Sequence, residues 1–203
     1  MESLFAAKSL ADLLNQSVAR WHEQPLATDH ADPFLALSLG LHAHNFELWH
    51  EEDKARDPDA EDGRIAQVKR AIDGMNQRRN NAMEAVDEFM LQTLEERGIT
   101  ASSEAPLHSE SVGAIVDRLS ILALKVFHMR EQTERHDADP SHIQTCIAKL
   151  AVLEEQQHDL AQCLAELQTS LLAGERRFKV YRQMKMYNDP NLNPVLYGKA
   201  SRG

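Results

Sequence analysis

The sequence predicts an all-α protein with an antiparallel four-helix bundle core, made of two helical hairpins, and with flanking N- and C-terminal helices. The 203 residues are rich in the helix formers Ala, Leu, Glu and Gln, and only 8 glycines and 7 prolines are available to interrupt helices. Apolar residues recur at the helical spacing in five long segments, and no segment shows the period of two that is typical of strands. The length suits one domain, which we predict to span 1–203.

Capping signals set the boundaries of the predicted helices. Asp32-Pro33 and Asp139-Pro140 each place an N-capping carboxylate before a proline that fits the first helical turn. A glycine after the third and the fifth segment provides a stop signal. The predicted helices are, in chain order, roughly 3–20, 33–56, 61–97, a fourth that ends near 136 and has Ser109 or Ser111 as its N-cap, and 140–174. A basic helix over 175–187 follows, with a turn-rich end to the segment 175–203.

Short connections make the second and third helices one antiparallel hairpin, and the fourth and fifth helices another. Packed together, the two hairpins form the core bundle over about 32–174, with the first and last helices laid against it. The fourth helix is apolar almost all round from Val112 to Met129, so we expect it to be the most buried.

Composition and charge exclude several classes of function. The formal net charge of -10 argues against binding to nucleic acid or to an anionic membrane surface. No apolar run approaches the roughly 20 residues of a membrane-spanning helix, and the N-terminus lacks the pattern of a secretory signal. Cys146 and Cys163 lie too far apart on one helix to bond each other. We therefore expect a cytoplasmic protein with free thiols.

Several polar side chains fall on the apolar sides of the predicted helices when each residue is turned by 100° about the helix axis. Arg79 lies in the middle of the apolar stripe of the third helix. A buried unpaired charge costs several kcal/mol, so such groups must pair, contact water or bind a ligand. The candidate pocket residues are Asn45, Trp49, Glu52, Arg56, Asn76, Arg79, Asp117, Lys125, His128 and Glu154.

Two interpretations of this set remain open. The groups could form a dry, fully paired network that fixes the register of the helices. Alternatively they could line a pocket inside the bundle, where arginines, a lysine, carboxylates and amides suit a small anionic or sugar-like ligand. A cavity connected to solvent would favour the pocket, whereas a dry layer would favour a non-catalytic accessory or interaction protein.

Metal binding and catalysis find no support in the sequence. The spacing Glu-x-x-His of di-iron bundles occurs at 47–50 and 155–158, but both glutamates point away from the core face. A cluster of His42, His44 and His50 is expected by chance among ten histidines. No phosphate-binding glycine loop or activated nucleophile is present. We predict no metal and no cofactor, and no catalytic residue can be assigned.

The predicted C-terminal helix reverses the acidic balance of the chain. Its basic residues either dock an amphipathic helix on the acidic bundle or form an anion or partner surface. The candidates for that surface are Lys179, Arg182 and Lys185.

Four stretches resemble one bacterial protein family. They are LHAHNFELWHEEDKAR (41–56), IDGMNQRRN (72–80), VDRLSILALK (116–125) and FKVYRQMKMYNDP (178–190). The chain resembles the family catalogued as domain of unknown function 4254 over nearly its whole length after Asp32. Its typical strings have Asn-Ser-Glu at 108–110 and Arg-Asn-Asp at 79–81, where this chain has His108 and Asn81.

The resemblance implies a helical protein that is often encoded beside glycosyltransferases of surface-polysaccharide assembly. It implies no activity and therefore assigns no residue a role. A glycosyltransferase partner follows from it as an expectation, and a homodimer stays open.

Overall fold

A computed structural model describes residues 7–184, 186 and 189–196. Five long helices follow one another, and the described part of the chain contains no β-strand, only an isolated bridge between Leu107 and Arg177. The all-α fold class is confirmed. The helices are α1 (Ala7–Glu23), α2 (Pro33–Ala55), α3 (Asp62–Glu96), α4 (Val112–Thr133) and α5 (Pro140–Leu172).

The predicted capping signals place the helix starts correctly. The Asp32 carboxylate accepts hydrogen bonds from the backbone N–H groups of Phe34 at 2.8 Å and Leu35 at 3.2 Å. The Asp139 carboxylate accepts one from Ser141 at 2.7 Å, and the Ser111 hydroxyl accepts one from Ala114 at 3.2 Å. These bonds satisfy N–H groups that a helix leaves without partners in its first turn.

The central helix of the fold is α4, which packs against each of the other four long helices. The pairs α2/α3 and α4/α5 form the two predicted hairpins. The burial of α4 is as expected, because Val116, Leu119 and Ala123 are completely inaccessible to solvent.

The helix α1, predicted to lie against the bundle, contributes to its core. It packs against α2, α4 and α5, and its stripe Leu10, Leu14 and Val18 is 0% exposed. The main neighbours of α5 are α4 and α1, so one side of α5 faces solvent, where Ile147 and Val152 are exposed. Because its evenly spaced apolar stripe is fully buried, α1 is part of the core and not only a flanking helix.

The crossing of α3 and α4 depends on Gly113. A methyl group at this position would collide with the backbone carbonyl of Met83 on α3, so the two helices approach too closely for any side chain. The Gly113 N–H donates to the buried Asp87 carboxylate at 2.6 Å. Burial raises the pKa of Asp87, although hydrogen bonds from Ser111 and Gly113 act in the opposite direction.

The predicted basic helix over 175–187 is wrong, because the described residues of this segment are not helical. The Arg177 backbone carbonyl accepts from His108 N–H at 2.8 Å, and the Arg177 N–H donates to the Pro106 carbonyl at 3.2 Å. Phe178 is buried. These backbone bonds to the 105–108 loop replace the hydrogen bonds that a helix would make, so the segment docks in an extended form.

No helix in the described ranges combines the length and the low polarity that crossing a lipid bilayer requires.

Candidate ligand cleft between α2, α3 and α4

A cleft of about 500 Å³ opens between α2, α3 and α4. Most of its wall comes from the last three turns of α2, while α3 contributes one arginine and α4 two apolar side chains. The lining residues are Asn45, Leu48, Trp49, Glu52, Asp53, Arg56, Arg79, Ile121 and Leu124. Five of the ten candidate pocket residues therefore meet here: Asn45, Trp49, Glu52, Arg56 and Arg79.

The inner end of the cleft is an ion pair between Arg79 and Asp117. The Arg79 Nε donates to Asp117 Oδ1 at 2.7 Å, and Arg79 Nη2 donates to Asp117 Oδ2. The Asp117 side chain is 7% exposed and that of Arg79 is 23% exposed. The hydrogen bonds to Asp117 raise the pKa of the Arg79 guanidinium. The bidentate geometry fixes the guanidinium plane at the edge of the cleft.

A chain of hydrogen bonds continues from Asp117 into the core. The two protons of the Asn45 amide are donated to Asp117 Oδ1 and to Ser120 Oγ, each at 2.9 Å. Ser120 Oγ lies 2.7 Å from His42 Nδ1, and His42 Nε2 lies 3.1 Å from the Leu14 carbonyl. The carbonyl can only accept, so Nε2 carries the imidazole proton and Nδ1 accepts the hydroxyl proton of Ser120.

The His42 imidazole is neutral within this chain. Burial lowers the pKa of His42 to about 4, and the hydrogen bond to the Leu14 carbonyl only partly opposes that effect. Each side chain of the hydrogen-bond chain that runs from Arg79 through Asp117, Asn45 and Ser120 to His42 therefore has a partner, and each bond has a defined donor and acceptor. The paired network and the open cleft therefore lie next to each other.

The outer end of the cleft is formed by exposed charges. Arg56 Nη2 lies 3.3 Å from Glu52 Oε2, and Arg56 Nη1 lies 3.5 Å from Asp53 Oδ1. The side chains of Arg56 and Asp53 are more than half exposed, and that of Glu52 is 39% exposed. Such ion pairs contribute little to stability, so these groups can rearrange around a ligand at small cost.

Trp49 connects the cleft to a cluster of aromatic and histidine rings. Its indole is stacked on the His128 imidazole with a centroid distance of 5.0 Å and an angle of 10°. His128 also has edge contacts with the rings of His22 at 5.2 Å and His50 at 5.9 Å. Burial lowers the pKa of His50, and the two neighbouring histidines add to this effect. His128, a candidate pocket residue, therefore stacks on Trp49 and does not itself line the cleft.

Three other candidate pocket residues lie elsewhere. Asn76 is half-buried on α3 but does not line the cleft. Lys125 is exposed and lines a separate groove between α4 and α5. Glu154 is exposed and pairs with Arg130 at 2.7 Å. The expectation that Glu154 faces the interior is wrong, because α5 is not covered by the α2/α3 hairpin.

The candidate anion surface at the C-terminus is partly occupied by the protein itself. Arg182 Nη1 donates to Glu84 at 2.7 Å, and Arg182 Nη2 donates to Glu88, so this arginine attaches the extended segment to α3. Lys179 is exposed. Lys185 lies outside the described residues.

Sequence reasoning did not identify two members of the buried network, His42 and Ser120. Both are 0% exposed. The sequence offers one weak signal for each residue. Ser120 belongs to the stretch 116–125 that resembles the family, and His42 lies one helical turn before the candidate Asn45. The grouping of His22, His50 and His128 was also missed, since they come from three different helices and form no motif.

A family described as "Protein of unknown function (DUF4254)" matches residues 36–180. This range contains all but the first turn of α2, the whole of α3, α4 and α5, and every residue that lines the cleft. No curated protein and no solved structure matches the chain.

Proposed function

Starting from the fact that the chain belongs to the DUF4254 family, we propose that it binds a small, hydroxyl-rich, sugar-like ligand in the cleft between α2, α3 and α4. The observation that carries the proposal is the position of Arg79. Its guanidinium is fixed to the buried Asp117 on one side and borders an open cavity of ligand size on the other. A purely structural ion pair needs no such cavity beside it.

The cleft combines a fixed inner end with an adjustable outer end. The hydrogen-bond chain behind Arg79 holds the inner groups in place before a ligand arrives, which lowers the entropic cost of binding. The exposed groups of Glu52, Asp53 and Arg56 can reorient to complete the contacts. Pre-formed polar groups with an apolar wall are typical of small-molecule sites.

The charges of the cleft favour hydroxyl groups over a strongly anionic group. Arg79 is paired with Asp117, and Arg56 is paired with Glu52 and Asp53. An added phosphate would have to compete with carboxylates for both cations. A hydroxyl can donate to a carboxylate and accept from a guanidinium at the same time, so a polyol fits the alternating donors and acceptors. Leu48, Trp49 and Ile121 offer apolar surface for the carbon face of a sugar ring.

The place of such a protein in bacterial surface-polysaccharide assembly forms part of the same proposal. It comes from the family resemblance, which implies genes beside glycosyltransferases. A sugar-binding helical protein would suit that setting either as a ligand carrier or as a partner of the transferase.

Thermal denaturation in the presence of neutral oligosaccharides, sugar phosphates, nucleotide-sugars and inorganic phosphate tests the proposal. A ligand that binds only the native state at 100 times its Kd stabilises by about 2.7 kcal/mol. We expect sugar-containing compounds to raise the melting temperature and inorganic phosphate to leave it unchanged. An equal effect of phosphate alone would contradict the assigned ligand chemistry.

Arg56→Gln removes a cleft arginine without touching the buried network, and we expect it to weaken the ligand-induced shift. Arg135→Gln is the matched control, because Arg135 is another exposed arginine paired with an aspartate, Asp137, and lies outside the cleft. Equal loss of the shift in both variants would contradict the location of the site.

A further inference from the structure

Three histidines from three helices point toward one another beside the cleft. His22 lies at the end of α1, His50 near the end of α2 and His128 near the end of α4. One imidazole nitrogen from each lies within 4.8 Å of the other two. Their meeting point is lined by rings and lies behind Trp49, separate from the proposed ligand cleft.

The hydrogen bonds of His128 leave one nitrogen unused. His128 Nδ1 lies 2.7 Å from Glu131 Oε2, and a carboxylate can only accept, so Nδ1 carries the proton of the neutral imidazole. His128 Nε2 is then the nitrogen with a free lone pair, and it is buried without a hydrogen-bond partner among the residues that the structure describes. A buried, unpartnered polar atom requires an explanation.

His22 shows the same arrangement on α1. Its Nδ1 lies 2.8 Å from the backbone carbonyl of Val18, which can only accept, so Nδ1 is protonated and Nε2 keeps its lone pair. The ring is held by stacking on Phe127 at a centroid distance of 4.3 Å and by an edge contact with Phe46 at 5.0 Å. His50 contacts the edge of the same Phe46 ring at 4.5 Å. The rings of the cluster therefore have defined orientations.

We propose that His22, His50 and His128 form a binding site for a divalent transition-metal ion of the zinc type. Neutral imidazole is a preferred ligand of Zn²⁺, and three histidines with one open position are an established ligand set. A metal-bound histidine usually donates its second N–H to a carboxylate or a backbone carbonyl, as His128 does to Glu131 and His22 does to Val18.

The separation of the nitrogens is compatible with this assignment. Tetrahedral coordination at Zn–N distances of about 2.0–2.1 Å places ligand nitrogens about 3.4 Å apart. The ligand nitrogens lie within 4.8 Å of one another, so each pair has to approach by at most about 1.4 Å to reach that spacing. His22 is exposed, so the site can be reached from solvent. The site is independent of the proposed ligand, since none of its three histidines lines the cleft.

Titration of tag-free, chelator-treated full-length protein with Zn²⁺ alone in a calorimeter tests the proposal. We expect one equivalent to bind and the melting temperature to rise, because the ion would join α1, α2 and α4. Co²⁺ should give the visible absorption of a four-coordinate ion. Absence of stoichiometric binding, with the histidines acting only as part of an aromatic cluster, would overturn the proposal.

Single substitutions locate the ion. His22→Gln, His50→Gln and His128→Gln should each weaken Zn²⁺ binding more than Glu131→Gln, which removes only the orienting carboxylate and should weaken it by about 10–100-fold. Far-ultraviolet circular dichroism verifies that each variant is folded.

Two histidines on α5 serve as controls. His158→Gln changes an exposed histidine, and His142→Gln changes the histidine whose Nε2 lies 3.4 Å from Cys146 Sγ. Both variants should bind Zn²⁺ like the original protein. Loss of binding in His142→Gln with retention in His22→Gln, His50→Gln and His128→Gln would place the ion at the His142–Cys146 pair and contradict the assignment.

Discussion

Arg79 on α3 and Asp117 on α4 form a bidentate ion pair at the boundary between the protein core and an open cleft. The Nε–Oδ1 distance is 2.7 Å, and the carboxylate is almost completely buried. The same Asp117 oxygen accepts a second hydrogen bond from Asn45 on α2. One carboxylate therefore connects three helices and positions the only α3 side chain that lines the cleft.

Replacement of Arg79 by methionine should destabilise the protein strongly. The variant keeps the approximate side-chain length but leaves the buried Asp117 charge without its cation, which typically costs about 3–5 kcal/mol. Urea denaturation measures the change in the free energy of unfolding. Arg182→Met is the matched control, because Arg182 pairs with Glu84 and Glu88 on the surface, where ion pairs contribute little, so this variant should lose much less stability. Equal effects of the two substitutions would contradict the importance of the buried pair.

The neutral state of His42 predicts a pH dependence of stability. The pKa of His42 is about 4 in the folded protein and 6.5 without burial, so the unfolded chain binds more protons between these values. The stabilising contribution is present above pH 6.5 and is lost as the pH falls toward 4, by about 3 kcal/mol in total. Denaturation at a series of pH values measures this loss.

His42→Gln isolates the effect of the imidazole, because all other titrating groups are shared with the original protein. The variant will be less stable at pH 7, since a hydrogen bond of the buried network changes. Its stability should nevertheless fall less steeply between pH 6.5 and 4. Identical slopes for both proteins would show that His42 does not titrate in this range.

Gly113→Ala tests the close crossing of α3 and α4. The added methyl group would collide with the Met83 backbone, which can only move with its helix. Overpacking of this kind typically costs about 1–3 kcal/mol. Gly40→Ala is the control, because a methyl group there meets nothing within 4 Å and should stabilise α2 by roughly 0.5–1 kcal/mol. Urea denaturation of both variants should therefore give changes of opposite sign.

The local pattern of the sequence was sufficient to predict most of the helices. Capping by Asp32 and Asp139 depends on neighbouring residues only, so the chain itself contains the signal. The non-helical form of 175–184 could not be predicted in this way. Its backbone is held by the distant 105–108 loop, and the basic, amphipathic composition is compatible with a helix as well as with this contact.

The pattern of a single helix can indicate which of its polar residues face the interior, but not which residues of other helices they meet. Arg79 and Asn45 interrupt apolar stripes, which predicts that they face the interior, and both residues line the cleft. The predicted interior position of Glu154 is wrong because it requires the two hairpins to cover each other, whereas α5 packs mainly against α4 and α1. The histidine cluster depends on three helices, and no spacing within a single helix could indicate it.

The most direct test of the ligand cleft is the fluorescence of Trp49. The chain contains two tryptophans, and Trp21→Phe leaves Trp49 as the only one. This change should be tolerated, because Trp21 is a core ring whose buried Nε1 has no hydrogen-bond partner in the described part of the chain. Titration of the variant with neutral oligosaccharides, sugar phosphates and nucleotide-sugars should produce a saturable change in Trp49 emission, which Arg56→Gln weakens and Arg135→Gln does not. A compound that raises the melting temperature while Trp49 emission stays constant, or a complete lack of response to all of them, would contradict the proposed function.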